Sequence, residues 1–328
     1  MNWVNNVFGK TCLISLLGVV MSHSLNAQEL WPNKPIKLIL PFQAGSAIDN
    51  AARVIAPKLA TNLHQSLIIE NKTGASGLIG TEAVARSPSD GYTFLWGTTS
   101  TQVVGPSLSS NMSYDPLKDF SSVGLVAFSP YILVSASKLG YKDLADFISD
   151  AKLKPGRLTY ASAGNSSMAN LAAQLFSSSA QIQLVHIPYK SSAQSVTDTL
   201  SGTITIQFST FSPVIAHIKS GNLKPLAVTS KNRLSLMPDV PTVAELGFPG
   251  FEAILWMGIF APQGVPNDIL DKFSNALTAS LKDPEITKQL QNQGLQISNL
   301  NRIGMDKFLR SEINKWSQVI KTSGIVAE

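Results

Sequence analysis

Small residues and hydroxyls follow an apolar strand pattern in the stretch Leu38–Asp49, LILPFQAGSAID. Leu38–Leu40 predicts a buried strand, and a long helix is predicted to begin just beyond Ser46. Ser46 can cap that helix, and Asp49 lies three residues later, as in a capping box. A helix that begins in this way leaves N–H groups of its first turn unpaired, and these donors and the helix dipole favour a bound anion. The stretch predicts an anion site, although an ordinary strand-to-helix turn would have the same sequence.

The chain repeats this arrangement at Leu158–Asn165, LTYASAGN. A strand pattern again ends in a loop of small residues, and Ser166–Phe176 then carries apolar residues at helical spacing. Because two anion-ready loops lie in two halves of one chain, we expect a ligand that is held between two lobes.

Residue sets for catalysis, metal binding or nucleotide binding are not recognisable in the sequence. No histidines have the H-E-x-x-H spacing of a zinc site, no G-x-S-x-G motif is present, and the only cysteine is Cys12. The glycines of Gly74–Gly80 follow a G-x-x-G-x-x-G spacing, which differs from the dinucleotide fingerprint. His64 is expected to cap a helix, and His186 and His217 are expected to be structural. The sequence therefore predicts no enzyme, no cofactor and no metal site.

The first 27 residues have the pattern of a cleavable signal peptide. Lys10 is the only charged residue there, and the apolar run Cys12–Met21 is too short to span a membrane. Cleavage is expected after Ala27, with cleavage after Ser24 as the alternative. We therefore expect an exported protein that is free in the periplasm.

Composition limits the classes of partner. The formal net charge is +5 and falls by one when Lys10 is removed with the signal peptide. Since the basic residues form no cluster, a nucleic-acid partner is not expected, whereas the mild positive charge suits a small anionic ligand. Loss of Cys12 leaves a mature chain without disulfides, which suits a bacterial periplasmic protein with a large core.

Three consecutive strand–helix units are predicted to position the first anion site. Their strands lie at 38–40, 67–70 and 92–97. The loops that follow them fall at the carboxyl edge of a parallel sheet, where ligands of such sheets bind. The loop after the second strand is rich in glycine, and the one after the third, Thr98–Thr101, is rich in hydroxyls.

The later part of the chain is predicted to form a second lobe and then to return. Ser122–Ser135 reads as extended structure that is long enough to leave one lobe and enter another. The predicted parts are lobe 1 at residues 28–127, lobe 2 at 128–228 and the return to lobe 1 at 229–328. Two helices, at Asp268–Lys282 and Met305–Thr322, are expected to close the chain.

Short motifs are spread in order along the whole mature chain. They are Trp31–Ile36 with Pro41–Gly45, Asn71 with Gly74–Gly77 and Gly80, Asp90–Thr93, Tyr114–Pro116, Tyr160–Asn165, His186–Lys190 and Pro238–Thr242. The set resembles the extracytoplasmic receptors of tripartite tricarboxylate transporters, the Bug proteins. The resemblance implies an α/β, two-lobed periplasmic binding protein of type II, the "Venus flytrap", with a ligand cleft between the lobes. It implies capture of a small carboxylate and its delivery to a membrane permease, and we expect a monomer.

The resemblance also implies which residues bind the ligand. In the family, the loops after the first two strands hold one carboxylate through backbone N–H groups and ordered water, and the second lobe selects the rest of the ligand. The positions implied in the first lobe are Phe42, Ala44, Gly45, Ser46, Asp49, Gly74, Ala75, Ser76 and Gly77, with Thr98, Thr99 and Ser100 contributing hydroxyls. Those implied in the second lobe are Ala163, Gly164, Asn165, Ser166, Ser167 and Ser209.

The chain departs from the family's usual residues at three places. Ser46 stands where a second glycine is usual, which reduces backbone freedom and adds a hydroxyl. Ser209 and Thr205 stand where aspartate is common, and Met168–Asn170 replaces a Thr/Ser-Ser-His run. Because these changes remove acidic or hydrogen-bonding groups from the selecting lobe, we expect a ligand without the α-amino group that an aspartate would pair with.

Two other functions are weighed against transport. A ligand-sensing co-receptor for a histidine kinase would have the same fold, and a periplasmic hydrolase such as an esterase is disfavoured by the missing triad. Asp49 could be a lone catalytic carboxylate, but a role in capping the helix or holding water fits it better. Trp96 and Trp256 could line the cleft, although core packing is the more frequent role of such residues.

Overall fold

Two β-sheets organise the residues that the structure, a computed structural model, describes, namely 31–108, 112–298 and 300–322. The strands are β1 (Ile36–Leu40), β2 (Leu67–Asn71), β3 (Thr93–Thr98), β4 (Phe120–Pro130), β5 (Ile132–Ala136), β6 (Leu158–Ser162), β7 (Leu184–Pro188), β8 (Ile206–Ser209), β9 (Leu223–Val228), β10 (Ile254–Pro262) and β11 (Gln296–Ile297). The α-helices are α1 (Ala47–Leu63), α2 (Leu78–Ala85), α3 (Gly105–Leu108), α4 (Leu144–Leu153), α5 (Met168–Ala180), α6 (Ser192–Leu200), α7 (Phe211–Lys219), α8 (Asn267–Leu281), α9 (Pro284–Asn292) and α10 (Arg302–Thr322).

The first sheet has the spatial order β11–β4–β10–β3–β1–β2. β1 runs parallel to β2 and to β3, so the predicted parallel arrangement of the first three strands is confirmed. β10 lies antiparallel between β3 and β4 and brings the C-terminal part of the chain back into this sheet. The loops after β1, β2 and β3 therefore start from one edge of the sheet.

The second sheet has the spatial order β7–β6–β8–β5–β9. β6 runs parallel to β7 and to β8, whereas β5 is antiparallel to β8 and β9. β6 thus has the same place in its sheet as β1 has in the first, between two parallel neighbours. For this reason the loop after β6 corresponds to the loop after β1.

The chain crosses between the sheets at Tyr131 and returns after Val228. Strand β4 ends just before Tyr131 and β5 begins just after it, and the stretch from Thr229 to Ala253 leads back to β10. The Tyr131 N–H donates to Thr229 Oγ1 at 2.8 Å, and the Thr229 N–H donates to the Tyr131 carbonyl at 2.9 Å. Thr229 Oγ1 also donates to the Ala253 carbonyl at 2.6 Å. The crossing segments are therefore bonded to each other, while the lobe limits given above stay predictions.

Large aromatic side chains fill the core beside the first sheet. Trp256 on β10 and Trp316 on α10 are each 1% exposed, and both donate from Nε1 to the same oxygen of Glu312 at 3.1 Å. Trp96 on β3 is buried to the same extent. The interpretation of Trp96 and Trp256 as core residues is confirmed.

The prediction of only two closing helices is wrong, because α9 lies between α8 and α10. The Asp283 side chain caps α9 by accepting from the N–H groups of Glu285 and Ile286, and Pro284 is its first residue. An Asp–Pro pair is a recognisable helix start. The short helix buries only Ile286 and Leu290, so its apolar periodicity is weak.

The N-terminal prediction concerns residues that the structure does not describe. The predicted signal peptide, residues 1–27, lies outside the described residues. Within 31–108, 112–298 and 300–322, no helix combines the length and the apolar character needed to cross a membrane.

The Thr229 hydroxyl gives a first prediction. Thr229→Val should lower the free energy of unfolding by about 1–3 kcal/mol, because the Tyr131 N–H loses its acceptor and the Ala253 carbonyl loses a donor in a buried place. Urea denaturation of both proteins measures the difference. Thr61→Val is the matched control, since the Thr61 hydroxyl is exposed and bonds within its own helix, and it should change stability by less than about 0.5 kcal/mol. Equal effects of the two substitutions would contradict the role of Thr229.

Candidate functional site

The loop between β1 and α1 leaves two backbone donors unpaired at the start of the helix. The Ser46 hydroxyl accepts from the Asp49 N–H at 3.2 Å, and the Ser46 carbonyl accepts from the Asn50 N–H at 2.9 Å, so the predicted cap is confirmed. The N–H groups of Ala47 and Ile48 make no hydrogen bond to any described residue. They remain available to an anion at the helix start.

Asp49 lies beneath this loop and holds its shape. The residue is 2% exposed, and its carboxylate accepts from the Gly45 N–H at 2.9 Å, from Arg53 Nε at 2.8 Å and from Asn71 Nδ2 at 2.9 Å. Asn71 Nδ2 also donates to the Phe42 carbonyl at 3.0 Å. The backbone on both sides of the small-residue turn is therefore tied to one buried carboxylate and its amide partner.

The predicted capping box is half formed. The Asp49 carboxylate accepts from the Gly45 N–H instead of the Ser46 N–H, which donates to the Gln43 carbonyl at 3.2 Å. Burial raises the pKa of Asp49, but the hydrogen bonds from Arg53, Gly45 and Asn71 outweigh it and hold the pKa below its ordinary value. The carboxylate is therefore ionised at neutral pH and stabilises the loop.

The loop after β2 has left-handed backbone at four consecutive residues, Gly74–Gly77, with φ angles of 133°, 46°, 54° and 96°. Ala75 and Ser76 carry side chains in this region, which costs about 1–3 kcal/mol at each such residue and is found mostly at ligand sites. Their N–H groups make no hydrogen bond to a described residue. At Gly77 an added Cβ would lie 2.9 Å from Thr101 Cγ2, so only glycine fits there.

The second sheet offers a capped helix start at α5. The Ser167 hydroxyl accepts from the Asn170 N–H at 3.2 Å and donates to the Gly164 carbonyl at 2.7 Å. The Asn170 side chain accepts from the Tyr160 hydroxyl at 2.7 Å and donates to the Asn165 carbonyl at 2.8 Å. These bonds fix the loop after β6 against the first turn of α5.

Two hydrogen bonds connect the loops of one sheet to those of the other. The Ser100 hydroxyl accepts from the Met168 N–H at 3.0 Å, and the Ser76 hydroxyl donates to the Ala163 carbonyl at 3.4 Å. The next N–H of α5, that of Ala169, has no partner among the described residues. The starts of α1 and α5 thus each keep unpaired donors.

A cavity of about 120 Å³ lies between these loops. One water molecule needs about 10–15 Å³ on the same measure, so the cavity has room for a small organic molecule. Its wall includes the residues with unpaired amides, Ala47, Ile48 and Ala169. The rest of the wall is Phe42, Ser46, Ser100, Tyr131, Ser162, Ala163, Ser167, Tyr189, Lys190, Ser191, Ser192, Ser195, Gln207, Phe208, Ser209, Thr210 and Leu255.

A second cavity, of about 530 Å³, shares part of this wall. Phe42, Ala163, Tyr189 and Lys190 line both cavities, which we therefore treat as two parts of one cleft. The remaining wall of the second cavity is Pro41, Gln43, Thr73, Gly74, Ala75, Ser76, Gly77, Leu78, Gly164, Asn165, Ser166 and Pro188.

Among the residues that the structure describes, Lys190 is the only one with a charged side chain on the cleft wall. Within the described residues no ion pair joins it to a carboxylate. The acidic side chains nearby point to other partners, since Asp49 pairs with Arg53 and Asp198 accepts from the Tyr189 hydroxyl at 2.7 Å. The cleft therefore favours anions, and no cluster of metal-ligating residues occurs in the described parts of the chain.

The cleft contains most of the residues that the resemblance implied. Those that line it are Phe42, Ser46, Gly74, Ala75, Ser76, Gly77, Ser100, Ala163, Gly164, Asn165, Ser166, Ser167 and Ser209. Those that do not are Ala44, Gly45, Asp49, Thr98 and Thr99. The Gly45 amide and the Asp49 carboxylate bond to each other behind the first loop, and Thr99 Oγ1 accepts from the Trp256 N–H at 2.8 Å. Ser100 belongs to a single π-helical turn, Ser100–Val104, where the sequence suggested a loop.

Of the two positions where the family often has aspartate, only Ser209 lies in the cleft. Thr205 precedes β8, at the end remote from Ser209, where its Oγ1 accepts from the Thr159 N–H at 3.1 Å. Thr205 lines neither part of the cleft. The argument about the missing aspartate therefore depends on Ser209 alone.

Sequence reasoning missed several cleft residues. Ala47 and Ile48 could have been found, because the residues that follow an N-cap are the ones with unpaired amides. Lys190 lies in a motif that was recognised but given no role. Ser162 was also missed; its hydroxyl accepts from the Gly164 N–H at 3.1 Å and shares a hydrogen bond of 2.6 Å with His186 Nε2.

Comparison with known proteins assigns this cleft to a family. The family described as "Tripartite tricarboxylate transporter family receptor" matches residues 51–325. The chain belongs to this receptor family. Protein BugT of Bordetella pertussis (strain Tohama I) is 33% identical to this receptor over 319 residues, which cover 96% of this chain and 98% of BugT.

Two solved structures have the same fold as this chain. The periplasmic binding protein BugD matches it with a TM-score of 0.86 at 30% identity, over 91% of this chain and 100% of that one. Rpa4515 of R. palustris, solved with adipate, matches with a TM-score of 0.86 at 32% identity, over 90% of this chain and 99% of that one. This receptor is thus a Bug-type periplasmic binding protein with a two-lobed α/β fold, in a family of solute receptors rather than enzymes. The predicted family, fold class and absence of enzymatic function are confirmed.

The Asp49 carboxylate predicts an acid-sensitive stability. Asp49→Asn should lower the free energy of unfolding at pH 7 by about 1–3 kcal/mol, because Arg53 and the Gly45 N–H lose a charged acceptor. The folded pKa of Asp49 lies below the unfolded one, so its contribution is full above the unfolded pKa and is lost as the pH falls through the folded pKa. Urea denaturation between pH 7 and pH 3 should show the two proteins converging towards acid.

An exposed carboxylate gives the control for this series. Asp90 pairs with Lys34 on the surface, and Asp90→Asn should change stability by less than about 1 kcal/mol. A stability gap between wild type and Asp49→Asn that stays the same at every pH would contradict the ionised role of Asp49.

The glycine at position 77 gives a prediction about the cleft wall. Gly77→Ala places a methyl group 2.9 Å from Thr101 Cγ2 and 3.2 Å from Phe42 Cζ at a φ of +96°, so it should both destabilise the fold and weaken ligand binding. Gly221→Ala is the matched control, since Gly221 has a φ of +75° and no atom within 4 Å of an added Cβ. Thermal unfolding and calorimetric titration should show loss of stability in both variants but loss of affinity only at Gly77. Unchanged affinity in Gly77→Ala would argue against this loop as a ligand contact.

Proposed function

We propose that this receptor captures a small carboxylate between its two sheets and delivers it to the membrane permease of a tripartite tricarboxylate transporter. The observation that carries the proposal is the set of unpaired amides on the cleft wall, those of Ala47 and Ile48 at the start of α1 and of Ala169 at the start of α5. Backbone N–H groups at helix starts bind anions through hydrogen bonds and the helix dipole. A carboxylate in the smaller cavity lies beside such donors from both sheets.

The rest of the cleft supports an anionic ligand. Lys190 contributes a positive charge, and none of the described residues on the wall has an acidic side chain that would repel a carboxylate. The strained loop at Ala75 and Ser76 adds two further unpaired N–H groups on the larger cavity. The adipate in the Rpa4515 structure supports a carboxylate as the class of anion.

Closure of the cleft follows from the contacts between the two sets of loops. The Ser100–Met168 and Ser76–Ala163 hydrogen bonds form only when the loops of the two sheets are close. A ligand that bonds to both sets binds this closed arrangement more tightly than an open one. Only that difference in affinity shifts the population towards the closed receptor, the form we propose for delivery to the permease.

The part of the cleft wall around Ser209 favours a ligand without an α-amino group. Ser209, which lines the cleft, donates its hydroxyl proton to the Thr210 carbonyl at 3.0 Å. Within the described parts of the chain, the wall has no carboxylate that could pair with an ammonium group, and the positive charge of Lys190 would repel such a group. An amino acid would therefore bury an unpaired charge, which is costly.

A thermal-shift screen tests both parts of the proposal. The chain from residue 28 is unfolded and refolded to remove any carried ligand and is then screened against mono-, di- and tricarboxylates, aromatic acids and amino acids. A ligand at a hundred times its dissociation constant stabilises the fold by about 2.7 kcal/mol, which shifts the melting temperature measurably. We expect hits among the acids, and we expect glutarate and succinate to bind more tightly than glutamate and aspartate.

The outcomes of the screen distinguish carboxylate binding from the preference for a ligand without an α-amino group. No shift with any acid, or a shift only with neutral or cationic solutes, would overturn carboxylate binding. Tighter binding of glutamate than of glutarate would leave carboxylate binding intact and overturn the argument from Ser209.

A further inference from the structure

Tyr131 lines the ligand cleft, and its hydroxyl has no hydrogen-bond partner among the described residues. The residue is 5% exposed, and both of its backbone groups are bonded to Thr229. Its hydroxyl makes no hydrogen bond to any residue that the structure describes, whereas the other tyrosine hydroxyls of the chain do. Their partners are Asn33 for Tyr92, the Thr101 carbonyl for Tyr114, Asp150 for Tyr141, Asn170 for Tyr160 and Asp198 for Tyr189.

The position of Tyr131 connects this side chain to the ligand cleft. Tyr131 lies on the wall of the smaller cavity, the one with the unpaired amides of Ala47, Ile48 and Ala169. It is also the residue at which the chain crosses from the first sheet to the second. The side chain is therefore held by a backbone that is bonded on both sides, next to the space that the ligand would fill.

Physical chemistry favours an acceptor in that space. A hydroxyl that bonds to no protein group and borders a cavity is satisfied by water or by a bound ligand, and a ligand that displaces the water has to replace its hydrogen bond. Burial raises the pKa of Tyr131, so the hydroxyl keeps its proton at neutral pH and can donate it. A ligand oxygen in the cavity would satisfy this donor, and a ligand without one would leave it unpaired.

We propose that Tyr131 is a specificity-determining residue, whose hydroxyl donates a hydrogen bond to a ligand oxygen other than those held by the unpaired helix amides. The ligand is then an acid with a second oxygen acceptor, and Tyr131 discriminates against acids that lack it. The inference rests on the proposed carboxylate function of the cleft. It adds a residue and a selection rule to that function.

Matched acids and the isosteric Tyr131→Phe variant test this role. The pairs are succinate with butyrate, adipate with hexanoate, and terephthalate with benzoate, each of which differs by one carboxylate. Calorimetric titration should show that Tyr131→Phe weakens the best-bound diacid by about 10- to 100-fold, because a hydrogen bond to a charged acceptor is lost. The matching monoacid should change by less than about twofold, so the variant loses selectivity and not only affinity.

Tyr141→Phe is the control for loss of a tyrosine hydroxyl. The Tyr141 hydroxyl donates to Asp150 at 2.8 Å, and Tyr141 does not line the cleft. This variant should bind every acid as wild type does but unfold more easily without ligand, because Asp150 loses a donor. Tyr131→Phe should show the opposite, with ligand-free stability equal to wild type or higher, since the hydroxyl it removes has no protein partner.

Each other outcome overturns the inference in a distinguishable way. If Tyr131→Phe binds the diacids as well as wild type does, the hydroxyl bonds to water and not to the ligand. If it weakens both members of every pair equally, Tyr131 contacts the shared carboxylate and sets no selectivity. If wild type binds none of the acids in either this test or the wider screen, the carboxylate function itself fails and the inference fails with it.

Discussion

The structure depends on the fact that the first N–H groups of a helix have no partner within the helix. At α1 and α5, side chains satisfy some of these donors, since Ser46 accepts from Asp49 and Ser167 accepts from Asn170. Ala47 and Ile48 after the first cap, and Ala169 after the second, keep their N–H groups without a described partner on the wall of one cavity. The anion binding that we propose for this cleft is therefore a property of backbone geometry, and the surrounding side chains mainly hold that geometry in place. The Asp49 network does this in the first sheet, and the Asn170 network does it in the second.

The connection between the sheets places a second constraint on the cleft. The crossing at Tyr131 and the return at Thr229 are hydrogen-bonded to each other, so the two sheets are joined where their strands end. Tyr131, one residue of this junction, lines the smaller cavity, so a ligand bound there as proposed would lie beside the segment that connects the two sheets. The cleft wall combines one positive charge, at Lys190, with hydroxyls and apolar surface from residues such as Phe208 and Leu255.

Much of the fold could be predicted from local pattern. The first three parallel strands, the caps at Ser46 and His64, and the helices after the two small-residue loops follow from apolar spacing and capping residues within about ten positions. Helix α9 was not predicted because only two of its residues are buried, although Asp283–Pro284 is a recognisable helix start. The π-helical turn at Ser100–Val104 was not predicted because the hydroxyl residues Thr98–Thr101, which lead into it, have a loop-like composition. The conformation of such a segment depends on burial by tertiary contacts, which local propensity does not measure.

For the cleft, the sequence by itself determined the kind of chemistry, because small residues before helix starts and the lack of catalytic sets are local properties. It indicated an anion-binding receptor and, through family motifs, most of the residues on the cleft wall. Only the tertiary structure decided which hydroxyls and charges face the ligand. Asp49 and Thr99 bond to the protein itself, whereas Tyr131 and Lys190, distant from each other in sequence, line the same cavity. The physical reason is that a side chain's partner is set by packing between sheets, which depends on contacts between residues far apart along the chain.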